Sequence, residues 1–583
     1  MSDCLEQDER DWRTPGPTMR NLPAESRRRS PAAHYSVVII GAGINGAATF
    51  RDLSLQGTDC LLVDRGDFCA GTSSAPSRLI HGGIKYLETG QFNLVRHSTL
   101  ERNLLLRNAP HVVKPIETLL PLRSLFGGIV PSLRRFLGRD AKLVDRGALV
   151  VKTGLEIFDW FGRNYRTLPR HRISGRRYVR QAFPDMGQDI TGLATYFDAK
   201  VTFAERLGLE LVMDGLAANA RSLALNYVSL EAANAGTILL RDELTRTIHH
   251  VTADLVVNAA GSAIDLVNHQ LGIPSRYIGG QKGSHIILNN KRLFDSLNAR
   301  MIYFGASDGR VALMYPFFGN VLVGATDIPV EATEEPICEE DETAYMLRLV
   351  GEIFPSIPVS RADVIYSYSG IRPLPRGDAK DPGAVSRNHS ISEDRIAGTK
   401  IPVLSLIGGK WTTFRGFAEE ATDQVLARLG TERRYSTKLL PIGGGKDFPQ
   451  SDAERAEVLM KIQATNLAPA RAEQLLDRYG MRALDVAAWC AVEGDQPLAS
   501  LPEYSRGEIT FITRHEWVAH LSDILFRRTA IALSGRLDGV VVAEVGKIAA
   551  AAADWDGERL ATEIADTIQT ATHRHGVAPA RFG

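Results

Sequence analysis

No run of apolar residues in this chain approaches the roughly eighteen that a membrane-spanning helix needs, and the N-terminus has no hydrophobic signal core. Cysteine is scarce. Cys4, Cys60, Cys69, Cys338 and Cys490 are scattered with no CxxC spacing, which gives no sign of a disulfide framework or a metal site and fits a reducing compartment. An excess of charge is missing too: lysine plus arginine and aspartate plus glutamate each number 68, so the balance does not argue for a nucleic-acid partner. What is present is 583 residues with an ordinary hydrophobic share of 44%, enough for a large core and about two or three domains.

Residues 1–34 are polar, hold Pro15, Pro17, Pro23 and Pro31, and contain Arg27-Arg28-Arg29, so a disordered N-terminal extension is expected. The acids Asp3, Glu6, Asp8, Glu9 and Asp11 argue against an organelle transit peptide. Next, Val37-Val38-Ile39-Ile40 opens onto Gly41-Ala42-Gly43-Ile44-Asn45-Gly46, which reads as strand, tight turn and helix. Gly41 permits the turn, Gly43 lets a pyrophosphate approach the backbone, and Gly46 lets the helix pack closely on the strand. The phosphates would sit on the helix's unpaired N–H groups. A second apolar run, Cys60 to Val63, ends in Asp64, at the spacing where an acid accepts hydrogen bonds from an adenosine ribose. The motif accommodates either NAD or FAD.

The stretch from Thr72 to Glu88 is dense in Ser and Gly, carries His81, Lys85 and Tyr86, and reads as a loop near a ligand. Phe92 to Asn108 has helical periodicity with Arg96, Arg102 and Arg107 between the apolar positions, and is expected to be an ordinary surface helix. Residues 222–257 alternate and run into Asn258-Ala259-Ala260-Gly261, small residues that let backbone approach a cofactor. Short runs in 285–330, such as Ile286-Ile287-Leu288 and Val321-Leu322-Val323, predict a mixed or antiparallel sheet forming a second layer that holds substrate. After Gly443-Gly444-Gly445 the character changes: Ser451-Asp452-Ala453-Glu454 reads as a capping box, and helical periodicity includes Trp517, Leu521, Ile524, Leu525 and Arg528. Residues 446–583 are expected to form a separate all-α domain.

Seven stretches in order resemble one family: GAGING from Gly41, TSSAPSRLIHGGIKYLE from Thr72, KGSH from Lys282, GATD from Gly324, YSGIRPL from Tyr368, SRNH from Ser386 and GGKWTTFRGFAEEA from Gly408. It is the FAD-dependent, membrane-associated glycerol-3-phosphate dehydrogenases. The resemblance spans about residues 36 to 440 and, more loosely, the helical C-terminal region. It implies FAD rather than NAD, an α/β fold in which a Rossmann-like FAD-binding domain is interleaved with a substrate-capping sheet over 35–445, and electron delivery to quinone. It also implies a cytoplasmic protein held peripherally on the inner face of the cell membrane; whether it pairs as a homodimer stays open. By resemblance the flavin site falls on Gly41, Gly43, Asn45, Gly46, Asp64, Thr72, Ser73, Ser74, Gly82, Gly83, Gly261, Trp411 and Thr412. The substrate site falls on Lys85, Tyr86, His285, Arg372, Arg387 and Lys410. Where this chain has Lys85 the bacterial enzymes commonly have Arg, and an ammonium lacks the planar fork of a guanidinium.

The implied reaction oxidises a secondary alcohol: hydride passes to the flavin, a base removes the hydroxyl proton, and the protein stabilises the developing alkoxide. His285 is the candidate base, an imidazole with an ordinary pKa near 6.5; the alternative is a histidine merely hydrogen-bonded beside the flavin. Arg372 is assigned either to the alkoxide or to the phosphate, the alternative being a surface ion pair. A largely dianionic phosphate calls for more than one cation, which Arg387 and Lys410 supply, although Lys410 could touch the flavin ring instead. Glycerol 3-phosphate is the default substrate and an erythritol phosphate remains open. An amine or amino-acid oxidase needs fewer cations, and a non-catalytic flavoprotein needs neither base nor cations.

Delivery to quinone requires a surface that reaches lipid. Leu125, Phe126, Ile129, Val130, Leu133, Phe136 and Leu137 are interleaved with Arg123, Arg134, Arg135, Arg139 and Lys142, a pattern suited to a membrane interface, although Pro131 breaks any single helix. The alternative is that this stretch caps the substrate domain, apolar side inward. Each cation near an anionic surface contributes about 1 kcal/mol. Replacing Arg134, Arg135 and Arg139 by Glu is therefore expected to move the protein from anionic vesicles to the supernatant in flotation while leaving flavin reduction intact. Unchanged flotation would place docking elsewhere, most naturally on the helical region.

Overall fold

The computed structural model of the chain describes residues 29–87, 90–124, 148–163, 165–332, 335–376 and 389–583, apart from the side chains of Lys85, Ala148 and Val150. Most of the expected N-terminal extension, and residues 125–142 of the expected docking stretch, lie outside the described residues.

The first apolar run is buried on both faces, as a strand within a parallel sheet must be. It forms β1 (His34–Ile40), and β2 (Cys60–Asp64) pairs with it in parallel, Val37 opposite Cys60 and Ile40 opposite Val63. Helix α1 (Ile44–Leu55) joins them, starting on Gly43. The turn closes when the Gly41 amide donates to the Val63 carbonyl at 2.8 Å. Gly41 takes φ +101°, and a Cβ there would lie 2.6 Å from the Ala259 carbonyl oxygen. A Cβ on Gly46 would overlap the Gly41 carbonyl, so helix and turn meet backbone to backbone. β3 (Leu223–Asn226) extends the parallel sheet beyond β2, and β4 (Ile248–Asn258) lies on the other side of β1, followed in parallel by Pro402–Ile407. Among the described residues this sheet has eight strands.

The segments between those strands build a second sheet, ten-stranded among the described residues, so the two are interleaved along the chain. Near one end of it lies β5 (Ile278–Leu288), flanked antiparallel by β6 (Asn320–Gly324) and β7 (Val364–Pro375). A parallel pairing of Met301–Gly305 with Val113–Leu122 makes the sheet mixed.

The C-terminal region is helical. Ser451 Oγ accepts from the Glu454 amide at 3.3 Å, and the Glu454 carboxylate accepts from the Gln450 amide, one residue before the cap, at 2.6 Å. Trp517 departs from the expected helical series: it sits at φ +51° between helices Arg506–His515 and Leu521–Asp523, and Ile524–Arg528 then forms a π-helical turn. The helices share one core with the second sheet, since Ile524, Leu525, Val541, Val545 and Ala571 pack with Tyr315, Leu322, Tyr366 and Tyr368.

Phe92–Asn108 is the predicted helix, but not a surface one. Its last turns are buried because Arg102, 3% exposed, donates to the Phe197 carbonyl at 3.0 Å and to Asp198 at 2.9 Å. Periodicity marked Arg102 as polar and had no means of seeing a buried partner 96 residues on. Arg107 is exposed. Arg102→Met strands a buried carboxylate and is expected to destabilise the chain by about 3–5 kcal/mol, against no more than about 0.5 kcal/mol for Arg107→Met, read as shifts of the urea midpoint.

Candidate active site

The carboxyl ends of β1, β2 and β4 face a cavity of about 1990 Å³ that continues under the second sheet. At the dinucleotide end Gly41, Gly43, Asn45, Asp64 and Gly261 line it. Asp64 accepts from the Ala42 amide at 2.7 Å and the Gly66 amide at 2.9 Å, yet burial outweighs both bonds and raises its pKa to about 6. Asn45 donates to the Gly408 carbonyl at 3.1 Å and leaves its buried Oδ1 without a hydrogen-bond partner beside the cavity.

Residues 71–78 form the adjoining wall. Ser73 Oγ accepts from the Ile44 amide at 2.9 Å, and its carbonyl accepts from the Trp411 indole at 3.1 Å, so one residue ties the first turn of α1 to the 408–413 turn. Thr72 donates to the Ile371 carbonyl at 2.7 Å, Ser74 to the Ala70 carbonyl at 3.0 Å, and Thr412 accepts from the His81 amide at 3.1 Å. Gly46, Gly82 and Gly83 do not line the cavity. The Gly82 amide donates to Asp198 at 2.9 Å beneath the Phe158 ring, and Gly83, at φ +76°, packs on Tyr86. Those two glycines shape the loop from behind.

At the far end the second sheet brings His285, Tyr368 and Arg372 together, because β5 pairs His285 with Tyr368 and Gln281 with Arg372. The His285 ring stacks on Tyr368 at 4.9 Å, and a Cβ on its other neighbour, Gly324, would overlap the imidazole. Nε2 of His285 shares a 2.8 Å hydrogen bond with Ser77 Oγ, while its buried Nδ1 has no partner. Burial first, then the Arg372 and Arg78 guanidiniums, push the imidazole down to about 3, so it is neutral at physiological pH. This corrects the ordinary value assumed from residue type alone. Arg372 donates to Asp327 at 2.9 Å and to the Thr326 carbonyl at 3.3 Å, and Gly283 leaves the space its guanidinium fills. Lys410 Nζ stands 4.3 Å over the Tyr86 ring, and both residues line the cavity. The Lys85 side chain and Arg387 lie outside the described residues.

Three residues here went unread in the sequence. Ser77 and Arg78 sit inside a quoted motif whose glycines and histidine drew attention instead; Arg78 is fully buried and bidentate to Glu205 at 2.6 and 3.0 Å. Asp327 ends GATD, and only the folded chain shows that it meets Arg372.

A family model described as FAD dependent oxidoreductase matches residues 36–391, and one described as the C-terminal domain of alpha-glycerophosphate oxidase matches residues 435–560. The glycerol-3-phosphate dehydrogenase of Synechocystis sp. is 33% identical over 542 residues, covering 88% of this chain and 91% of that protein. The chain belongs to the FAD-dependent glycerol-3-phosphate dehydrogenase family. D-erythritol 1-phosphate dehydrogenase of Brucella abortus is 30% identical, with 84% and 93% covered. The fold matches the crystal structure of glycerol-3-phosphate dehydrogenase from Bacillus halodurans complexed with FAD, at TM-score 0.71, 22% identity and 95% and 97% coverage.

FAD is therefore the cofactor, and the cavity suits it: a glycine turn under a helix N-terminus, an acid at the end of β2, an orphaned amide oxygen alongside, and a continuous path to the His285 end. On the motif's reading of Asp64 as the ribose acceptor, the carboxylate works best ionised. FAD affinity is expected to fall, roughly ten- to a hundredfold, as pH drops through about 6, and Asp64→Asn to be weak and flat across that range. Fluorescence titration of apoprotein with FAD at stepped pH checks both.

Proposed function

We propose that the chain oxidises the secondary alcohol of sn-glycerol 3-phosphate, or of a close polyol phosphate, to the ketone, dihydroxyacetone phosphate in the first case, and passes the electrons to quinone. The observation that carries this reading is a neutral, buried imidazole at the end of the FAD cavity, flanked by Arg372 and with Lys410 on the same cavity. FAD, when bound, supplies the hydride acceptor. The residues supply the rest. His285 takes the hydroxyl proton at Nε2, the nitrogen on the Ser77 side, because Nδ1 is buried. Arg372 steadies the developing alkoxide, with Asp327 holding its guanidinium at a fixed angle. Lys410 and Arg387 hold the phosphate, more cationic charge than an amino-acid carboxylate requires.

The names of the relatives support a polyol phosphate, and the erythritol phosphate enzyme keeps a four-carbon substrate as the second reading. Among the described residues no helix is long and apolar enough to cross a membrane, so a quinone acceptor calls for peripheral docking. Arg123, at the start of the suggested docking stretch, is already bonded to Asp189 at 2.6 Å.

The anaerobic flavin should bleach with sn-glycerol 3-phosphate or erythritol phosphate and not with glycerol or amino acids; bleaching by amino acids alone would overturn the reading. His285→Asn should slow that reduction about 10²- to 10⁴-fold with little change in substrate Kd. Lys410→Met should instead weaken substrate binding roughly ten- to a hundredfold. Stopped-flow reduction over a range of substrate concentrations separates the two effects.

A further inference from the structure

The loop that follows the ribose acid is held by the C-terminal helices. Three residues after Asp64, the Asp67 carboxylate is fully buried and accepts four hydrogen bonds: Arg528 at 2.7 and 2.8 Å, Arg527 at 2.6 Å, and Asn226 at 3.0 Å. Burial alone would raise its pKa; the two guanidiniums hold it far below the usual carboxylate range. Consecutive residues reach one carboxylate because Ile524–Arg528 is a π-helical turn, in which the Thr529 amide donates to the Ile524 carbonyl at 3.0 Å. Such turns recur at functional sites.

Arg527 does not end at Asp67. Its far side pairs with Asp523, which accepts from the Tyr227 hydroxyl at 2.5 Å, and the Tyr227 amide donates to the Gly66 carbonyl at 2.9 Å. Tyr227 directly follows Asn226, the residue paired with Asp64 in the parallel sheet. Its ring meets His520 edge-on at 4.9 Å. Tyr227, His520, Ser522 and Arg527 all line the cofactor cavity along with Asp64 and Gly66.

We infer that the C-terminal helical region is part of the FAD site: it completes the wall of the adenylate half and fixes the 65–70 loop through the Asp67, Arg527 and Arg528 cluster. Arg527 and Arg528 are positioning residues, acting on the dinucleotide through the loop that carries its ribose acceptor. The inference rests on the assignment of Asp64 to the adenosine end.

Full-length apoproteins carrying Arg527→Met, Asp64→Asn or Arg478→Met are titrated with FAD and, separately, with ADP. Arg478 is the control, because it is likewise a partly buried arginine of the helical region, paired with Glu508 at 2.9 Å, but it does not line the cavity. The expected result is at least a tenfold rise in the Kd of both ligands for Arg527→Met, a comparable rise for Asp64→Asn, and Arg478→Met within about twofold of the parent even where its melting temperature falls. If Arg527→Met does not yield folded protein, Arg527→Lys, which keeps the charge and loses the fork, is expected to weaken both ligands at least threefold. Parental affinity in the Arg527 variant with weakened Asp64→Asn overturns the inference. Parental affinity in both overturns the assignment of the adenosine end as well, and equal weakening by Arg478→Met reduces the effect to general stability and overturns it too.

Discussion

The chemistry depends on the register of one antiparallel pairing. Along β5, residues 281, 283 and 285 share a face, and β7 sets Arg372, Gly370 and Tyr368 opposite them. That places a flat aromatic ring under His285, and the glycines at 283 and 324 leave room for the Arg372 guanidinium and the imidazole. Slipping β5 by one residue would turn His285 to the other face of the sheet, and slipping β7 would turn Tyr368 and Arg372. The other side is closed by the 71–78 segment, pinned to the same sheet: Tyr368 donates to the Pro76 carbonyl at 2.9 Å and Tyr315 to the Ser77 carbonyl at 3.1 Å. The Ser77 hydroxyl is thus held by the sheet that carries its partner.

Around this frame the chain buries charge in pairs. Arg78 with Glu205, Arg206 with Glu516, Arg415 with Glu101 and Arg528 with Asp67 are nearly inaccessible on both sides, and each joins segments far apart in sequence. Apolar pairs of similar volume would serve stability about as well. Bidentate pairs add direction, because a guanidinium fork fixes angle as well as distance. Arg78 uses that, donating to the Ser74 carbonyl at 3.2 Å while gripping Glu205. Arg78 thereby holds the loop next to the cavity in one shape.

What could be read from the sequence was what local spacing encodes. Val37 to Gly46 specified strand, turn and helix, the apolar run into Asp64 specified the second parallel strand, and the short runs from Ile286 to Val323 gave the second sheet. The unread parts are long-range. Nothing near Arg102 announces Asp198, nothing near Asp67 announces Arg527 and Arg528, and Trp517 fell into helical spacing although Asn226 holds its carbonyl at 2.8 Å in a turn. The glycines at 82 and 83 matched the motif but serve the loop from behind, a distinction that needs the packing of Phe158 and Tyr86 to draw.

A base held at a pKa of about 3 is weak on its own terms, and on the proposed reading that weakness selects the substrate. Burial and two guanidiniums keep the imidazole uncharged, so without substrate it has little tendency to take a proton. A phosphate dianion held, on that reading, by Lys410 and Arg387 brings opposite charge into the same low-dielectric space. It cancels part of the field from the guanidiniums and raises the imidazole pKa, because a nearby anion favours the charged form. An uncharged polyol enters without that charge, so it meets a base still held down by Arg372 and Arg78. Discrimination between glycerol and its phosphate then arises in the proton-transfer step as well as in binding, which is where differential stabilisation of the transition state has its effect on rate.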